Sequence, residues 1–304
     1  MSFTIASVNV NGIRAATKVR SEDNRGMLAW LKQTSADVVL MQEVRASGDQ
    51  AVTALRPALD DGWHLVVAPA ETPGAKGRAG VGILSRDPLT EVEIGIPDFE
   101  DAGRFIAGTL LDSTRVASLY LPSGSADTAK QDEKYAFLDR FEPKLEQWAG
   151  QYDNMVIGGD WNICHRREDL KNWRTNRNKS GFLPDERAFM DAVFGTFPDD
   201  QAQDLEAKQL YGWAGAVEYV SEGRREANAE PKWFDVARRL QPEDAPYTWW
   251  TYRGQAFNND AGWRIDYQAA TAAMLERAER SWVDKAPTVE ERWSDHSPLM
   301  VTYG

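Results

Sequence analysis

Val156-Ile157-Gly158-Gly159-Asp160-Trp161-Asn162-Ile163 is the stretch whose reading decides the fold. An apolar run ends in two glycines, and an acid and an amide then follow two residues apart. This is the pattern of a buried strand running out at its carboxyl end, with Gly158 and Gly159 leaving room for backbone or ligand to come close. Along a strand, residues i and i+2 point to the same side, so Asp160 and Asn162 are expected to face one spot. A carboxylate beside an amide suits a divalent cation or a phosphate oxygen. It equally suits a strand-end turn capped by Asp and Asn.

The same motif recurs upstream. Residues 3–11 form an apolar run that ends in Asn9 and Asn11, again two apart, before Gly12 breaks it. A helical pattern (Met27, Leu28, Trp30, Leu31) precedes a second strand over residues 36–43 that runs into Glu43. Residues 63–67 and 80–85 read as further strands on either side of the Gly/Pro-rich stretch 72–77. Residues 115–122 read as another, ending at Tyr120. A long amphipathic helix is expected over residues 129–148, with Tyr135, Leu138, Phe141 and Leu145 at three- and four-residue spacing. Core strands thus keep ending in polar groups, which is how α/β folds assemble a site on a rigid scaffold. Strands alternating with helices point to sheets with helices outside. No linker separates the halves, so one domain over residues 1–304 is expected.

Composition narrows the classes. With 304 residues, 42% hydrophobic and 11% aromatic, the chain is long enough and apolar enough for a sizeable core. No apolar run approaches the roughly 18 residues of a membrane span, and Met1-Ser2-Phe3-Thr4 carries no basic or apolar leader pattern. The single cysteine, Cys164, excludes internal disulfides and fits a reducing cytoplasm. It reads as a small packed residue or as a nucleophile, and its place just past a core strand favours packing. The net charge of −12 argues against nucleic acid, yet Arg166, Arg167, Lys171, Arg174, Arg177 and Lys179 crowd one segment against only Glu168 and Asp169. Such a segment is either a solvated loop or a local face that tracks phosphates.

The second half supplies an aromatic stretch read as a strand, Pro246-Tyr247-Thr248-Trp249-Trp250-Thr251-Tyr252-Arg253, then Trp263-Arg264-Ile265-Asp266-Tyr267. Near the end, Ser294-Asp295-His296-Ser297-Pro298 precedes a last strand over residues 299–303. Histidine is rare here, three in all, so His296 in this turn is weighed as an acid or base beside its structural reading.

Seven motifs, taken together and in order, resemble the exonuclease III family of abasic-site endonucleases, within the endonuclease/exonuclease/phosphatase superfamily. They are Ser7-Val8-Asn9-Val10-Asn11-Gly12-Ile13-Arg14, Met41-Gln42-Glu43, Leu119-Tyr120-Leu121-Pro122, Gly159-Asp160-Trp161-Asn162, Tyr247-Thr248-Trp249-Trp250, Gly262-Trp263-Arg264-Ile265-Asp266-Tyr267 and Ser294-Asp295-His296-Ser297-Pro298. The resemblance implies a four-layer α/β sandwich, two packed mixed sheets with helices on both outer faces. It implies Mg²⁺, with Mn²⁺ as an alternative, held by Glu43 beside Asn9, Asn11 and Asp295. Some relatives carry Asp where this chain has Asn11. It further implies that Asp160 orients or deprotonates the attacking water, that Asn162 hydrogen-bonds the scissile phosphate, and that Tyr120 stands near that phosphate. His296 matches the family's essential histidine and Asp266 the carboxylate that holds its ring; which of Asp160 and His296 is the base stays open.

For specificity, the resemblance matches Trp249, Trp263 and Ile265 to a pocket that receives a flipped-out, baseless sugar. Their plain alternative is core packing in a chain with 12 tryptophans. Arg174 and Arg177 fall where relatives contact DNA, and Arg253 and Arg264 are candidate phosphate contacts. Residues 198–232, acidic and rich in Gln, Glu and Ala, are longer than the family pattern and read as a surface excursion or a DNA-facing rim. The expected protein is a monomeric, cytoplasmic, Mg²⁺-dependent nuclease acting on double-stranded DNA at abasic sites or 3′ ends. The rivals are a superfamily phosphodiesterase for RNA ends or phosphoinositides, and an inactive DNA-binding module.

Overall fold

The computed structural model describes residues 2–72, 77–195, 213–221, 223 and 225–304. The chain opens with β1 (Phe3–Asn9), α1 (Ile13–Ala16), α2 (Gly26–Leu31), β2 (Val38–Gln42), α3 (Gly48–Asp60), β3 (His64–Ala68) and β4 (Val81–Ser85). It continues through β5 (Thr90–Ile94), β6 (Phe105–Thr109), β7 (Arg115–Tyr120), α4 (Ala129–Gln151), β8 (Met155–Asp160), α5 (Trp173–Asn176) and α6 (Pro184–Phe194). It closes with β9 (Trp233–Asp235), α7 (Val236–Leu240), β10 (Asp266–Thr271), α8 (Ala272–Arg277), β11 (Ala278–Val283) and β12 (Leu299–Tyr303).

These strands build two six-stranded mixed sheets, in the orders β11-β12-β1-β2-β4-β3 and β5-β6-β7-β8-β10-β9. Each has one parallel pair at its middle, β1 with β2 and β7 with β8, and antiparallel strands around it. The middle strands are apolar without alternation because both faces are covered. Ile5, Leu40, Ile83, Val116, Val156 and Val301 fill the space between the sheets. On the outer faces, Leu31, Leu55 and Trp63 join the first sheet to its helices, and Tyr135, Leu138, Phe141 and Leu145 of α4 cover the second. The expected layering of helices, sheet, sheet and helices is therefore present.

Local chemistry explains the long elements. The Thr128 hydroxyl caps α4 by accepting from the Lys130 amide, and every apolar position of the expected stripe is buried. Ser47 and Gln50 close a reciprocal capping box on α3. The two glycines of the opening stretch serve the scaffold. A Cβ on Gly158 would stand 2.5 Å from Leu40 Cδ1 of the facing sheet, and one on Gly159 2.2 Å from the Leu119 carbonyl oxygen.

Several sequence expectations are corrected. β1, β2 and β8 end at Asn9, Gln42 and Asp160, so Asn11, Glu43 and Asn162 stand just past strand ends with φ of 49°, 49° and 52°. Side-sharing along a strand therefore does not bring Asp160 and Asn162 together; a left-handed turn does. The aromatic segment over residues 246–253 is not a strand: it makes isolated bridges from Trp249 to Trp263 and to His296, with further single backbone bonds from Thr248 and Trp250. The strands β5, β6, β9 and β11 escape the sequence reading because β5 is largely exposed and charged and β9 is three residues long. Of the 198–232 excursion, residues 198–212, 222 and 224 lie outside the described residues, as do 73–76 of the Gly/Pro-rich stretch. Its described part packs on α4, with Trp213 against Tyr135, and with Arg225 paired to Asp139 and Glu142.

Candidate active site

The two parallel pairs deliver their carboxyl ends to one edge of the sandwich, and polar side chains join the sheets there. The Asn9 amide donates both to Glu43 Oε1 (3.0 Å) and to Asp160 Oδ2 (2.9 Å), so it bridges the ends of β2 and β8. The Tyr120 hydroxyl donates to the same Glu43 oxygen at 2.7 Å. Glu43 is a residue with no preference for a positive φ, and its strained backbone is the kind of cost retained where a side chain has to be aimed. Asn162 is better suited to that conformation. Its N–H donates to Asp160 Oδ1 (3.0 Å) and its side-chain amide to the Leu121 carbonyl (2.9 Å).

The opposite wall comes from β10 and the turn before β12. Asp266 opens β10 directly across from Asp160 in the antiparallel register. Its Oδ2 lies 2.8 Å from His296 Nδ1, and the other face of the ring puts Nε2 3.8 Å from Asp160 Oδ2. The Ser294 hydroxyl pins this turn by donating to the Asn9 carbonyl (2.6 Å) while accepting from the His296 N–H. Asp295 accepts from the Asn11 amide (2.8 Å) and from Trp249 Nε1 (3.0 Å), which ties the aromatic segment to the acidic side.

The electrostatics divide these groups by role. Burial pushes Asp160 up, and Asp266 and Glu43 add to that against His296 and the Asn9 amide, leaving its carboxyl at about 7. Burial opposes charge on His296, but Asp266, Asp160 and Asp295 outweigh it and raise the ring to about 10. At neutral pH the ring is an imidazolium and Asp160 is poised near its midpoint. Burial and the Glu43 and Asp160 charges keep the Tyr120 phenol protonated, a donor. Asp295 is lowered by His296, Trp249 and Asn11, which outweigh its burial.

Arg45, which the sequence reading passed over, lays its guanidinium on Glu43 Oε2. Its signal was its place two residues after a strand-end acid. The four other basic positions, those expected to contact DNA, divide into three exposed and one buried. Arg174, Arg177 and Arg253 stand exposed, outside the hydrogen-bonded cluster. Arg264 is not a phosphate contact: it is 1% exposed, bonded to Asp169 (2.8 Å) and Asp235 (2.8 Å), and Arg238 joins the same Asp169 oxygen. That buried quartet fixes the segment around the aromatic cluster. Trp249 and Trp263 exchange backbone hydrogen bonds (both 2.9 Å) and meet edge to face at 5.9 Å. With Ile265 and Trp173 they pack on Leu170 and Phe182, both indoles remaining half-buried and Trp249 lying beside His296. Cys164 is wholly buried in this cluster, and burial pushes its thiol well up, so it is a packed residue.

This fold has counterparts among known proteins. The Endonuclease/Exonuclease/phosphatase family profile matches residues 6–296, and the chain belongs to that family. It is 28% identical over 302 residues to an exodeoxyribonuclease of Bacillus subtilis (strain 168), covering 97% of each. It is 26% identical over 277 residues to the DNA repair nuclease APEX1 of Danio rerio, covering 90% of this chain and 74% of that one. The solved AP endonuclease from Archaeoglobus fulgidus superposes with a TM-score of 0.74 at 25% identity, covering 99% of both chains. The Neisseria 3′ phosphatase NExo, solved with a product DNA hairpin, shares the fold with a TM-score of 0.75 at 24% identity and 99% coverage of both chains. Fold, site and relatives together define a DNA repair nuclease, a hydrolase.

Nucleases of this family use divalent metal ions. The donor set here fits an ion with few protein ligands: one strained carboxylate, Glu43, with the Asn9 and Asn11 amides and Asp295 around it. Among the described residues no group of three His, Cys, Asp or Glu forms a closed cage. Such a set suits a hard ion that keeps several waters.

Proposed function

We propose that this chain is a monomeric, Mg²⁺-dependent nuclease that hydrolyses the phosphodiester 5′ to abasic sites in double-stranded DNA. The observation that carries this reading is the continuous bond path Tyr120–Glu43–Asn9–Asp160, facing the Asp266–His296 pair beside the Trp249–Trp263 wall. Glu43, with Asn9, Asn11 and Asp295, would hold the ion, which neutralises phosphate charge and assists the leaving alkoxide when bound. Asp160 takes the proton of the in-line water. An imidazolium at about 10 cannot accept a proton at neutral pH, which favours Asp160 over His296 as the base. His296 instead donates from Nε2 to the charge that grows on the phosphate, with Asp266 fixing the ring. Asn162 uses one amide hydrogen on Leu121 and keeps the second for a phosphate oxygen. Trp249, Trp263 and Ile265 line the pocket for the baseless sugar, and Arg174, Arg177 and Arg253 track the backbone.

A second activity, 3′→5′ exonuclease with 3′-phosphatase action, draws on the same residues, because both reactions transfer a phosphoryl group at one site. One experiment separates the outcomes: a duplex with a single tetrahydrofuran abasic analogue is compared with an intact duplex bearing a recessed 3′ end, each with Mg²⁺ and with EDTA. A single metal-dependent nick 5′ to the analogue supports the proposal. Loss from the 3′ end alone keeps the catalytic site and makes Trp249 and Trp263 packing residues. No cutting of either substrate refutes the DNA reading and turns attention to RNA.

A further inference from the structure

Behind the site lies a fully buried ion pair that the chemistry above does not use. Lys134 of α4 and Glu186 of α6 have no exposed side-chain surface, and Lys134 Nζ lies 2.6 Å from Glu186 Oε1. An apolar pair of similar volume commonly serves stability as well as a buried ion pair does, so this pair's geometry asks for another reason. The ammonium also donates to the Asn162 carbonyl at 2.9 Å and to the Ser123 carbonyl at 3.4 Å. The Glu186 carboxylate collects the N–H groups of Gly181 (2.7 Å) and Leu183 (2.9 Å), the Ser180 hydroxyl (3.0 Å) and the Gln131 amide (3.0 Å).

Two regions are joined by this pair. Ser180 and Gly181 end the basic segment that carries Arg174 and Arg177, and Asn162 stands in a left-handed turn at the end of β8. A backbone bond from the Cys164 N–H to the Gly181 carbonyl (2.8 Å) joins the same regions, so the segments stay adjacent without the ammonium. The ammonium holds the Asn162 carbonyl and so the backbone from which the Asn162 side chain departs, beside the bonds that the Asn162 N–H and side-chain amide donate to Asp160 Oδ1 and the Leu121 carbonyl.

We propose that Lys134 is a positioning residue for phosphodiester hydrolysis: held by Glu186, it locks the Asn162 turn and so aims the Asn162 amide at the scissile phosphate. This rests on the nuclease reading above. The mechanism predicts a defect in turnover rather than in binding, because the exposed cations that track DNA stay in place.

The test uses the full chain as parent, Lys134→Met, and the double variant Lys134→Met with Glu186→Gln. The double variant removes both charges together, leaves no lone carboxylate buried, and keeps an oxygen to accept from Gly181 and Leu183; it carries the test where the single variant does not fold. Expected on the abasic-analogue duplex is a kcat lower by about 10- to 100-fold, with KM within about threefold, for loss of aim at a reacting centre. In DNA-free protein the ¹H–¹⁵N signals of the Asn162 side-chain amide, assigned with Asn162→Asp, are expected to move in both variants. A folded double variant with kcat within about twofold of the parent overturns the proposal, as does a KM increase with kcat unchanged. A parent that cuts neither duplex refutes the nuclease reading instead. Unmoved Asn162 signals in a folded double variant end the positioning claim by themselves, whether or not the parent cuts DNA.

Discussion

Removing the Asp266 charge should slide the whole pH–rate profile toward acid. Asp266 Oδ2 sits 2.8 Å from His296 Nδ1 with both side chains buried, and it is the leading reason the ring is held at about 10 against burial. An opposite charge at this range shifts a titration by roughly 1–3 pH units, or about 1.4–4 kcal/mol of preference for the imidazolium. The parent requires Asp160 deprotonated and His296 protonated, so its activity should rise through about pH 7 and fall above about pH 10. In Asp266→Asn the falling limb should move to between roughly pH 7 and pH 9. The rising limb should move down as well, because the Asp266 charge is one of the causes that lift Asp160. Single-turnover cleavage of the abasic-analogue duplex between pH 5 and pH 10.5 reads both limbs, and the His296 ring shifts in DNA-free protein read the titration directly. A falling limb that stays near pH 10 in the variant, or a parent ring that titrates near pH 6.5, refutes the assignment of roles. A parent whose rate keeps rising through pH 10 makes His296 the base.

Four further outcomes are expected. Glu43→Ala should lower metal-dependent kcat/KM by about 100-fold or more, since metal assistance supplies several kcal/mol, while fluorescence anisotropy finds DNA affinity within about threefold of the parent. Asp169→Asn should cost about 3–5 kcal/mol in urea unfolding, because it leaves Arg238 and Arg264 buried with half their partner gone. Burial pushes the Asp169 carboxyl up, but Arg264 and Arg238 hold it at about 2, below the ordinary 3.8. Its folded value is thus depressed, so its contribution of about 2 kcal/mol is present above pH 4 or so and is lost as the pH falls toward 2, which urea titrations across that window measure. Arg174→Ala and Arg177→Ala should each raise KM and flatten the log–log salt dependence by about 1, whereas Arg264→Ala should lower the melting temperature without changing that slope.

The last strand, Leu299–Tyr303, and the buried face of α4 were legible from spacing alone, because a continuous apolar run and a three-and-four repeat each fit one geometry. The gathering of polar residues at strand ends was legible too, since short polar side chains after an apolar run have few other uses. The order of elements along the chain thus determined sheets with helices outside and polar groups at strand ends, while the pair of packed sheets was implied only by the family resemblance of the seven motifs. Pairing was not legible: β1 lies against β12, Phe3 opposite Tyr303, a contact across the whole chain that no local pattern encodes. Nor was the left-handed turn at Glu43, which no propensity favours and which the surrounding bonds of Asn9 and Tyr120 accompany. Arg264 was misread for the same reason. An arginine beside a tryptophan looks like a phosphate contact until Asp169 and Asp235, 95 and 29 residues away in the chain, close around it. Sequence determined which charges exist; only the tertiary structure decided which of them are already spent on one another, because burial and partner distance set a charge's availability and neither is a local property.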